Sequence, residues 1–461
     1  MSLPLPALFL EDLLDRPRWW LGFSGGLDST VLLHRVVDYL AHTAHSRRPA
    51  LVAVHVNHGL SPDADDWQRH CEGVCAALGV PCESVAVRVD IDARGGLEAA
   101  ARRARYAVFS ARQQREDVLL LGHHSDDQVE TLLLRLFRST GIDGLAGMRQ
   151  RTWVDGRLRV RPLLDCSREQ LHDYAVSQGL RWIEDESNTD QSLSRNFVRH
   201  RVLPLLADHW PQCRRQLLAL ARSAAESAEL LREIAHQDLA AIAASDRWGN
   251  KLELDALKRL SQVRIRNALT RWLHAMGVPS PRQRQWPLLF EQMLVQAERS
   301  PELRLHGGSL RRYRDALYWV PETIRLARAE KPWQSETNLI WNLEAPLSLD
   351  GGMALCATLD SLSGGLLPGC YRLAFRGDCA NARQNRSLKR ALAAAGVPPW
   401  WRDRVPLLYR VSTDAEVLAG SKEAPAAQLP ADAELAAIAD IWIAPRWRSV
   451  EGQPGYRLRW S

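Results

Sequence analysis

Short apolar runs alternate with amphipathic stretches over the first 205 or so residues of the chain. The runs predict strands at 19–24, 51–57, 82–89 and 117–122, with one more at 181–184. Apolar residues at helical spacing predict helices near 29–42, 63–78, 96–115, 125–139 and 167–178. Apolar strands separated by helices are typical of a parallel sheet covered on both faces. We therefore expect an α/β domain with a doubly wound parallel sheet over residues 1–210.

The pattern changes after residue 210. Residues 214–243 are rich in Ala, Leu, Glu and Arg at helical spacing, and residues 264–275 have the pattern of a basic amphipathic helix. These stretches predict an all-α domain over 211–325. Residues 326–365 are interpreted as a mixed connector. Short strands, turns and a helix near 387–395 predict a small α+β domain over 366–461.

The charge of the chain is positive and unevenly distributed. The 461 residues carry a net charge of +6. Residues 251–320 hold 13 Lys and Arg against 6 Asp and Glu, and residues 371–410 hold 9 against 2. Two separate basic regions suit a long polyanion such as nucleic acid better than a single nucleotide. Solvated basic faces without a ligand are the alternative interpretation.

The cysteines and the apolar runs exclude several other classes of protein. The eight cysteines are scattered and form no Cys-x-x-Cys pair, so neither a zinc ribbon nor a cysteine-held iron–sulfur cluster is indicated. The chain starts without the pattern of a signal peptide and has no run of 18 apolar residues. We expect a cytoplasmic protein with reduced thiols and no membrane association.

A glycine turn follows the first predicted strand and opens a helix. Gly25 and Gly26 let backbone amides approach a ligand closely, and the helix N-terminus adds partial positive charge. The residues expected to form this anion cradle are Ser24, Gly25, Gly26, Leu27, Asp28, Ser29 and Thr30. The Gly-Lys-Ser/Thr ending of the common P-loop is absent. The Ser-Gly-Gly-Leu-Asp-Ser segment resembles the PP-loop ATP pyrophosphatases, which implies ATP cleavage to AMP and pyrophosphate, with Asp28 as the Mg²⁺ ligand.

Further candidate residues follow the second and fourth predicted strands. The backbone at Val54 and His55 is placed to read the adenine of ATP, and Gly122 ends the strand beside the glycine turn. His58 is a candidate to face the substrate. Two alternatives remain open: a metal site formed by His55 and His58, and a purely structural role for each histidine.

Two arginines on the third predicted helix are candidates to bind the α-phosphate of ATP. Glu98, Arg102 and Arg105 share one helix face by their spacing. An arginine directed into the cleft would offset the charge that develops at the α-phosphate. The alternative is an ordinary surface pair between Glu98 and Arg102.

Two carboxylates open the helix after the fourth strand. Asp127 and Glu130 are three residues apart and share a face directed towards the glycine turn. Since no basic residue is obvious nearby in the sequence, the pair predicts a cation between them. Mg²⁺ and a substrate ammonium are the two candidates. A preference of acidic residues for a helix N-terminus is the alternative.

Nearly the whole chain resembles the tRNA(Ile)-lysidine synthetase family. The matching segments include His-Val-Asn-His-Gly-Leu (55–60), His-His-Ser-Asp-Asp-Gln-Val-Glu-Thr (123–131), Ser-Thr-Gly-Ile-Asp-Gly-Leu (139–145), Asp-Glu-Ser-Asn-Thr-Asp (185–190) and Pro-Pro-Trp-Trp-Arg-Asp-Arg-Val-Pro (398–406). The last two stretches of the catalytic half are narrower signals than the phosphate loop, which many PP-loop enzymes share. One departure is Glu186, where the family usually has Pro.

The resemblance implies conversion of cytidine to lysidine at the first anticodon position of the tRNA(Ile) with a CAU anticodon. Codon reading then changes from AUG to AUA. ATP, Mg²⁺ and L-lysine would be required, and AMP and pyrophosphate released. Asp28, Arg102 and Arg105 would serve adenylation, whereas His58, Asp127 and Glu130 would bind substrate. The basic residues expected to contact the tRNA are Arg195, Arg199, Arg201, Lys389, Arg390, Arg402 and Arg404. A homodimer is left open.

Three other functions are less consistent with the sequence. A PP-loop enzyme that thiolates tRNA would need paired cysteines, which the sequence lacks. A small-molecule adenylating enzyme would not need two basic regions outside its catalytic domain. A catalytically inactive tRNA-binding protein would have no need of Asp28, Asp127 and Glu130 together.

Overall fold

The chain forms two compact units, Met1–Leu231 and Arg232–Ser461. The computed structural model describes residues 10–89, 96–138, 140–184, 194–295, 301–326, 340–349, 353–360, 364–376, 382–411, 434–451 and 453–460. Among these residues, no helix is both long and apolar enough to span a membrane.

A six-stranded sheet organises the first unit. Its strands are β1 (Arg18–Gly22), β2 (Ala50–Asn57), β3 (Cys82–Ala86), β4 (Val118–Leu120), β5 (Arg151–Val154) and β6 (Arg157–Val160). They lie in the order β3-β2-β1-β4-β6-β5, and every neighbouring pair is parallel except β5 with β6. The predicted doubly wound sheet is therefore confirmed, with an antiparallel strand added at one edge.

Two details of the strand prediction were wrong. Residues 181–184 form no strand; instead the Ile183 amide donates to the Gly25 carbonyl at 2.9 Å. The β5–β6 hairpin was missed because its strands are only four residues long and β6 alternates arginine with apolar residues. Its turn, Asp155-Gly156, has φ values of 50° and 72°, which is the geometry that Asp-Gly hairpin turns adopt.

The predicted helices cover both faces of this sheet. The helices of the unit are α1 (Leu27–Ala41), α2 (Ala64–Ala77), α3 (Gly96–Arg112), α4 (Ser125–Leu136), α5 (Ile142–Leu145), α6 (Arg168–Ser177), α7 (Ser194–Phe197) and α8 (Leu203–His209). A π-helical turn, Val198–Val202, joins α7 to α8. On one face Leu21 packs with Val31 and Leu171 of α1 and α6. On the other, Trp20 packs with Phe109 of α3.

The middle of the chain is helical, as expected, but not composed of helices alone. Its helices are α9 (Cys213–Ile242), α10 (Leu254–Lys258), α11 (Gln262–Ala275), α12 (Gln285–Leu288), a π-helical turn (Leu289–Val295) and α13 (Glu322–Leu326). An antiparallel sheet accompanies them, formed by β7 (Ala243–Asp246), β8 (Gly249–Glu253), β9 (Glu302–Leu305), β10 (Gly308–Tyr313) and β11 (Ala316–Pro321) in the order β7-β8-β11-β10-β9. The all-α prediction is corrected accordingly, since Leu310 and Leu317 of the sheet share a core with Leu269 of α11.

The C-terminal region combines two small sheets with one helix, α14 (Ala382–Ala394). The strands are β12 (Ile340–Trp341), β13 (Leu347–Leu349), β14 (Met353–Asp360), β15 (Tyr371–Ala374), β16 (Leu407–Arg410), β17 (Leu435–Ile438), β18 (Trp442–Ile443) and β19 (Gly455–Trp460). They form sheets in the orders β12-β15-β16-β17-β18 and β13-β14-β19. Three of these strands lie in the predicted connector. Trp400 and Trp401 pack against the core of this region.

Candidate active site at the carboxyl edge of the parallel sheet

The glycine turn between β1 and α1 has the conformation that an anion cradle needs. Gly25 has a φ of +81°, in the left-handed region that favours glycine. A Cβ atom there would lie 2.6 Å from Ile183 Cδ1 and 2.8 Å from Cys71 Sγ. Glycine is therefore required at this position by both backbone conformation and packing.

The hydroxyl groups near the turn mostly hold the turn itself. Ser29 Oγ donates to the Gly26 carbonyl at 3.1 Å and accepts from the Ser24 amide at 3.2 Å. Thr30 Oγ1 donates to the Gly26 carbonyl at 3.0 Å. Ser29 and Thr30 are buried, whereas Ser24 is exposed. Backbone amides and Ser24 are thus the groups available to a ligand.

Gly122 brings the end of β4 against the first turn of α1. A Cβ atom on Gly122 would lie 3.1 Å from the Asp28 carbonyl oxygen and 3.2 Å from the Ser29 amide nitrogen. Both contacts are to backbone, which cannot move aside without shifting the glycine turn. The residues after β4 are consequently fixed beside Asp28.

The residues at the end of β2 support the turn from the other side. The Val54 carbonyl accepts from the Phe23 amide at 2.9 Å, and His55 Nδ1 lies 3.1 Å from the Phe23 carbonyl oxygen. His55 is buried, and burial lowers its pKa. The bonds of Val54 and His55 therefore hold the start of the glycine turn in place.

His58 has both ring nitrogens available. Neither nitrogen has a hydrogen-bond partner in the part of the chain that the structure describes. Burial, the charge of Arg105 and that of His55 lower the pKa of His58 to about 4. A neutral histidine with a free donor and a free acceptor suits ligand binding. Because the charge of Arg105 affects the pKa of His58, these two predicted residues lie near one another.

His124 connects the glycine turn to the predicted carboxylates. It is 1% exposed, and its Nε2 lies 3.5 Å from Asp28 Oδ2 and 3.6 Å from Asp127 Oδ2. Burial lowers the pKa of His124, but the hydrogen bond to Asp28 and the charge of Asp127 outweigh burial, so that the pKa is raised. The protonated form of this imidazole, which lies between two candidate site residues, is thereby favoured. Sequence reasoning missed this role, although the residue stands inside the motif.

Asp127 and Glu130 are brought together, as predicted, but they are not without basic partners. Arg195 Nη2 donates to Asp127 Oδ1 at 2.9 Å, and Arg195 Nε donates to Glu130 Oε2 at 2.6 Å. Arg199 Nε donates to Glu130 Oε1 at 2.6 Å. The expectation of an unpartnered acidic pair is corrected, because α7 and the π-helical turn that follows it each bring one arginine from distant sequence. We call these four residues the carboxylate–arginine cluster.

This cluster is buried and charge-balanced. The side chains of Asp127 and Glu130 are 12% and 1% exposed, and those of Arg195 and Arg199 are 24% and 25% exposed. Burial acts to raise the pKa of Asp127, but the charges of His124 and Arg195 outweigh it and the pKa is lowered. The ion pair with Arg195 therefore favours the carboxylate form of Asp127. The contact of Arg195 and Arg199 with tRNA stays a prediction, since these ion pairs leave part of each side chain exposed.

Comparison with known proteins identifies the family. Residues 7–206 match the PP-loop domain, residues 252–318 the TilS substrate binding domain and residues 371–419 the TilS substrate C-terminal domain. The chain is 40% identical to the tRNA(Ile)-lysidine synthase of Alkalilimnicola ehrlichii, over 95% of this chain and 92% of that protein. It is 41% identical to that of Pseudomonas syringae pv. tomato, over 90% and 91% of the two chains. The chain belongs to the tRNA(Ile)-lysidine synthase family.

The helix that carries Asp127 in this family member is tied to the following loop by an amide. Gln128 Nε2 donates to the Met148 carbonyl at 2.6 Å, and Gln128 Oε1 accepts from the Met148 amide at 2.6 Å. Gly147 has a φ of +65°, and a Cβ there would lie 2.5 Å from Gln128 Oε1. The family-specific stretch 139–145 is thereby joined to α4, although Ser139 lies outside the described residues.

The remaining basic residues predicted to bind tRNA fall into two groups in this family member. Arg201, Lys389 and Arg390 are exposed. Arg402 is only 8% exposed, and its Nε donates to the Val397 carbonyl at 3.0 Å. Arg402 therefore holds a turn, and its place among the tRNA contacts is corrected. Arg404 is partly exposed and lies over the Trp401 ring.

The acidic stretch before α7 and the two arginines of α3 are the remaining predicted features. The whole Asp-Glu-Ser-Asn-Thr-Asp stretch (185–190), Glu186 included, falls outside the described residues. Arg102 is exposed and its guanidinium carbon lies 4.9 Å from the centre of the Tyr106 ring, and Arg105 is also exposed. Both arginines lie in the middle turns of α3, which follows β3 in the chain.

Proposed function

We propose that this chain is a ligase that forms a carbon–nitrogen bond between L-lysine and a tRNA. The ε-amine of lysine replaces O2 of the cytidine at the first anticodon position of the tRNA(Ile) with a CAU anticodon, with ATP converted to AMP and pyrophosphate. One observation carries the proposal: the PP-loop and the carboxylate–arginine cluster meet at one edge of the sheet, with His124 within 3.6 Å of Asp28 and of Asp127. A phosphate site and a cation site are thus adjacent.

The first step activates the base. O2 of cytosine attacks the α-phosphorus of ATP, an O2–P bond forms, and the bond to the leaving pyrophosphate breaks. Backbone amides of Gly25 and Gly26 with Ser24 would bind the phosphates, and Arg102 or Arg105 would offset the charge that develops at the α-phosphate. His58 would contact the substrate. A single-stranded anticodon loop lets the base leave its stack at modest energetic cost.

Asp28 has the property expected of a Mg²⁺ ligand. Its Oδ1 is buried and has no hydrogen-bond partner in the described part of the chain, whereas Oδ2 faces His124. Mg²⁺ is commonly held by one or two carboxylates together with phosphate oxygens and water, so a single open oxygen fits. When bound there, Mg²⁺ would neutralise charge on the departing pyrophosphate.

The second step uses the carboxylate–arginine cluster. The lysine ε-amine arrives as an ammonium, which must be attracted and then lose a proton before its nitrogen attacks C2 and AMP departs with O2. Asp127 is the better candidate for both tasks, since Glu130 already accepts from both arginines through both oxygens. Arg195 and Arg199 keep exposed surface for the α-carboxylate of free lysine. Glu130 then positions the two arginines.

The tRNA is expected to contact the exposed basic side chains, namely Arg201, Lys389, Arg390 and Arg404. Such contacts to phosphate fix the position of the RNA without reading its sequence. The proposal places the protein in the cytoplasm, where tRNA is modified. A homodimer remains open within it.

Lysine transfer to RNA tests this function directly. The purified protein is incubated with ATP, labelled lysine and unmodified tRNA(Ile) bearing a CAU anticodon, and label in the RNA is measured. We expect incorporation by the wild type, and a loss of about a thousandfold in Asp127→Asn with tRNA affinity nearly unchanged. Asp173→Asn, an exposed residue of α6, is the control. Turnover of ATP with a different substrate and no label in RNA would sink the proposal.

A further inference from the structure

A second group of arginines lies between α3 and β6, on the face opposite α1. Arg159 on β6 and Arg102 on α3 place their guanidinium carbons 4.5 and 4.9 Å from the centre of the Tyr106 ring. Arg102 Nη2 also donates to the Tyr106 hydroxyl at 3.3 Å. Arg161 directly follows β6. We call Arg102, Tyr106, Arg159 and Arg161 the tyrosine–arginine cluster.

The arginines of this cluster form no ion pair with a carboxylate in the described part of the chain. The charge of Asp155 acts on Arg159 from beyond ion-pair distance. Burial lowers the pKa of Arg161, the contact with Tyr106 acts to raise it, and the charges of Arg102 and Arg159 lower it. Three like charges gathered around one ring raise the free energy of the folded state unless an anion joins them.

The cluster also holds polar atoms that have no partner. Arg161 is 7% exposed, and although its Nη1 donates to the Arg149 carbonyl at 2.7 Å, its Nε is buried and unpartnered in the described part of the chain. Arg159 Nε and the Nδ1 atom of nearby His123 are likewise buried without a hydrogen-bond partner in the described residues. Arg161 and Arg102 both lower the pKa of His123, so these atoms lie in one neighbourhood. Buried donors left unpaired in a native structure can be satisfied by water, by an ion or by a ligand.

The position of the cluster selects the ligand. Guanidinium groups with open N–H donors suit phosphate oxygens. The sheet order places β4 between β1 and β6, so β6 lies about 10 Å across the sheet from β1, the strand that leads into the glycine turn. The phosphates of ATP are assigned to that turn. A phosphate bound beside β6 belongs more naturally to the RNA that brings the cytidine.

We propose that the tyrosine–arginine cluster binds a backbone phosphate of the RNA next to the cytidine that reacts. This inference rests on the proposed function. Arg161 and Arg159 would contact the phosphate oxygens from within the cluster, and Arg102 would contact them from the exposed side, which leaves Arg105 for the α-phosphate of ATP. The bound phosphate would hold the extruded nucleotide between the PP-loop and Asp127.

The first test compares two arginines of the same strand. Arg159→Gln removes a charge from the cluster, whereas Arg157→Gln, two residues earlier on the same face of β6, removes one whose Nε donates to the Gln113 carbonyl at 2.7 Å. Binding of an anticodon stem–loop is measured without ATP or lysine over a salt series. We expect binding about tenfold weaker for Arg159→Gln, a salt slope smaller by about 0.7, and no change for Arg157→Gln. Arg159→Lys should recover most of the affinity.

The second test removes the charge from the RNA. Stem–loops carry a neutral methylphosphonate at the phosphate before or after the reacting cytidine. For one of the two, the wild type should lose about tenfold in affinity and Arg159→Gln should lose nothing more. Equal losses in both proteins would show that the cluster does not contact either phosphate.

The other outcomes are distinct. A higher KM for ATP in Arg159→Gln, with RNA binding unchanged, would assign the cluster to phosphates of the nucleotide and overturn the RNA contact. No change in either would make the cluster purely structural. Since the binding measurements need no lysine, a wild type that binds the stem–loop through Arg159 but fails to attach lysine would contradict the proposed function and leave this inference standing.

Discussion

The carboxylate–arginine cluster and the tyrosine–arginine cluster belong to the same sheet and its helices, but they differ in charge balance. In the first, Arg195 and Arg199 meet Asp127 and Glu130 through contacts of 2.6 to 3.6 Å. In the second, three arginines share a tyrosine and no carboxylate contacts them among the described residues. A paired arginine holds a geometry, whereas an unpaired one retains the capacity to bind an anion. The contrast indicates that the arginines of the first cluster position the site, whereas those of the second can still bind an anion.

His123 lies between the two clusters and is affected by both. Burial is the largest influence on its pKa, followed by Asp127, which raises it, and by Arg161, Arg102 and Arg195, which lower it. The result is a pKa of about 3, so that His123 is neutral at physiological pH. A neutral ring between a balanced cluster and a positive one avoids adding a further charge to the second.

The largest expected effect is on stability, and the two clusters should respond with opposite signs. Glu130→Gln leaves two partly buried arginines with one carboxylate, and we expect a loss of about 3 kcal/mol in the free energy of unfolding. Arg159→Gln relieves repulsion and should leave that free energy unchanged or raise it by up to about 1 kcal/mol. Urea unfolding measures both.

The matched control for Glu130→Gln is Asp12→Asn. Asp12 pairs with Arg151 at 2.6 Å, but both side chains are more than 30% exposed, so the expected loss is below about 1 kcal/mol. A loss in Arg159→Gln as large as that in Glu130→Gln would remove the distinction between the clusters.

A smaller effect should appear as a pH dependence. The pKa of His123 is about 6.5 in the unfolded chain and about 3 in the folded one, so the unfolded chain binds more protons between these values. The contribution of His123 to stability therefore falls as the pH decreases from 6.5 towards 3, by at most about 1.4 kcal/mol per pH unit.

Unfolding of the wild type and of His123→Asn at several pH values isolates this contribution. The stability of the variant relative to the wild type should increase as the pH falls through that window. Parallel pH profiles would mean that His123 is not held neutral, and that the two clusters do not act on it as described.

The smallest effect expected is stabilisation by inorganic phosphate. Phosphate that fills the tyrosine–arginine cluster with a Kd on the order of 10 mM would add about 1.4 kcal/mol at 0.1 M. The gain should be smaller in Arg159→Gln and full in Arg157→Gln, measured against chloride at equal ionic strength. Phosphate also binds the glycine turn, and the difference between the two variants removes that shared contribution.

The sequence predicted best those features that neighbouring residues determine. Apolar runs located four strands of the parallel sheet, and the glycine turn could be identified because its cause is local: a strand end, two glycines and a helix start. The β5–β6 hairpin went unrecognised because its strands are short and Arg157 and Arg159 interrupt the apolar pattern of β6. Asp155-Gly156 was nevertheless a usable turn signal. In the middle region, helical spacing in α9 and α11 drew attention from the strands that pack against α11.

The site was predicted by type but not by pairing. Asp127 and Glu130 were identified from their spacing, yet the arginines that neutralise them stand 65 and 69 residues away from Glu130. Spacing along a helix carries no information about a partner supplied by another element. Burial was equally hidden, since Arg402 reads as a surface charge in its sequence and lies in a turn interior. The tyrosine–arginine cluster needed the sheet order before its members could be associated.

The double hydrogen bond between Gln128 and Met148 has a consequence for hydrogen exchange. Met148 lies in a loop, where backbone amides usually exchange with solvent within the time of rapid local opening. Its amide instead donates to the Gln128 side chain at 2.6 Å, as if to a neighbouring strand. Deuterium uptake at Met148 should therefore follow that of α4 rather than that of its own loop. The exchange rate of the Met148 amide would then measure how often the helix that carries Asp127 opens.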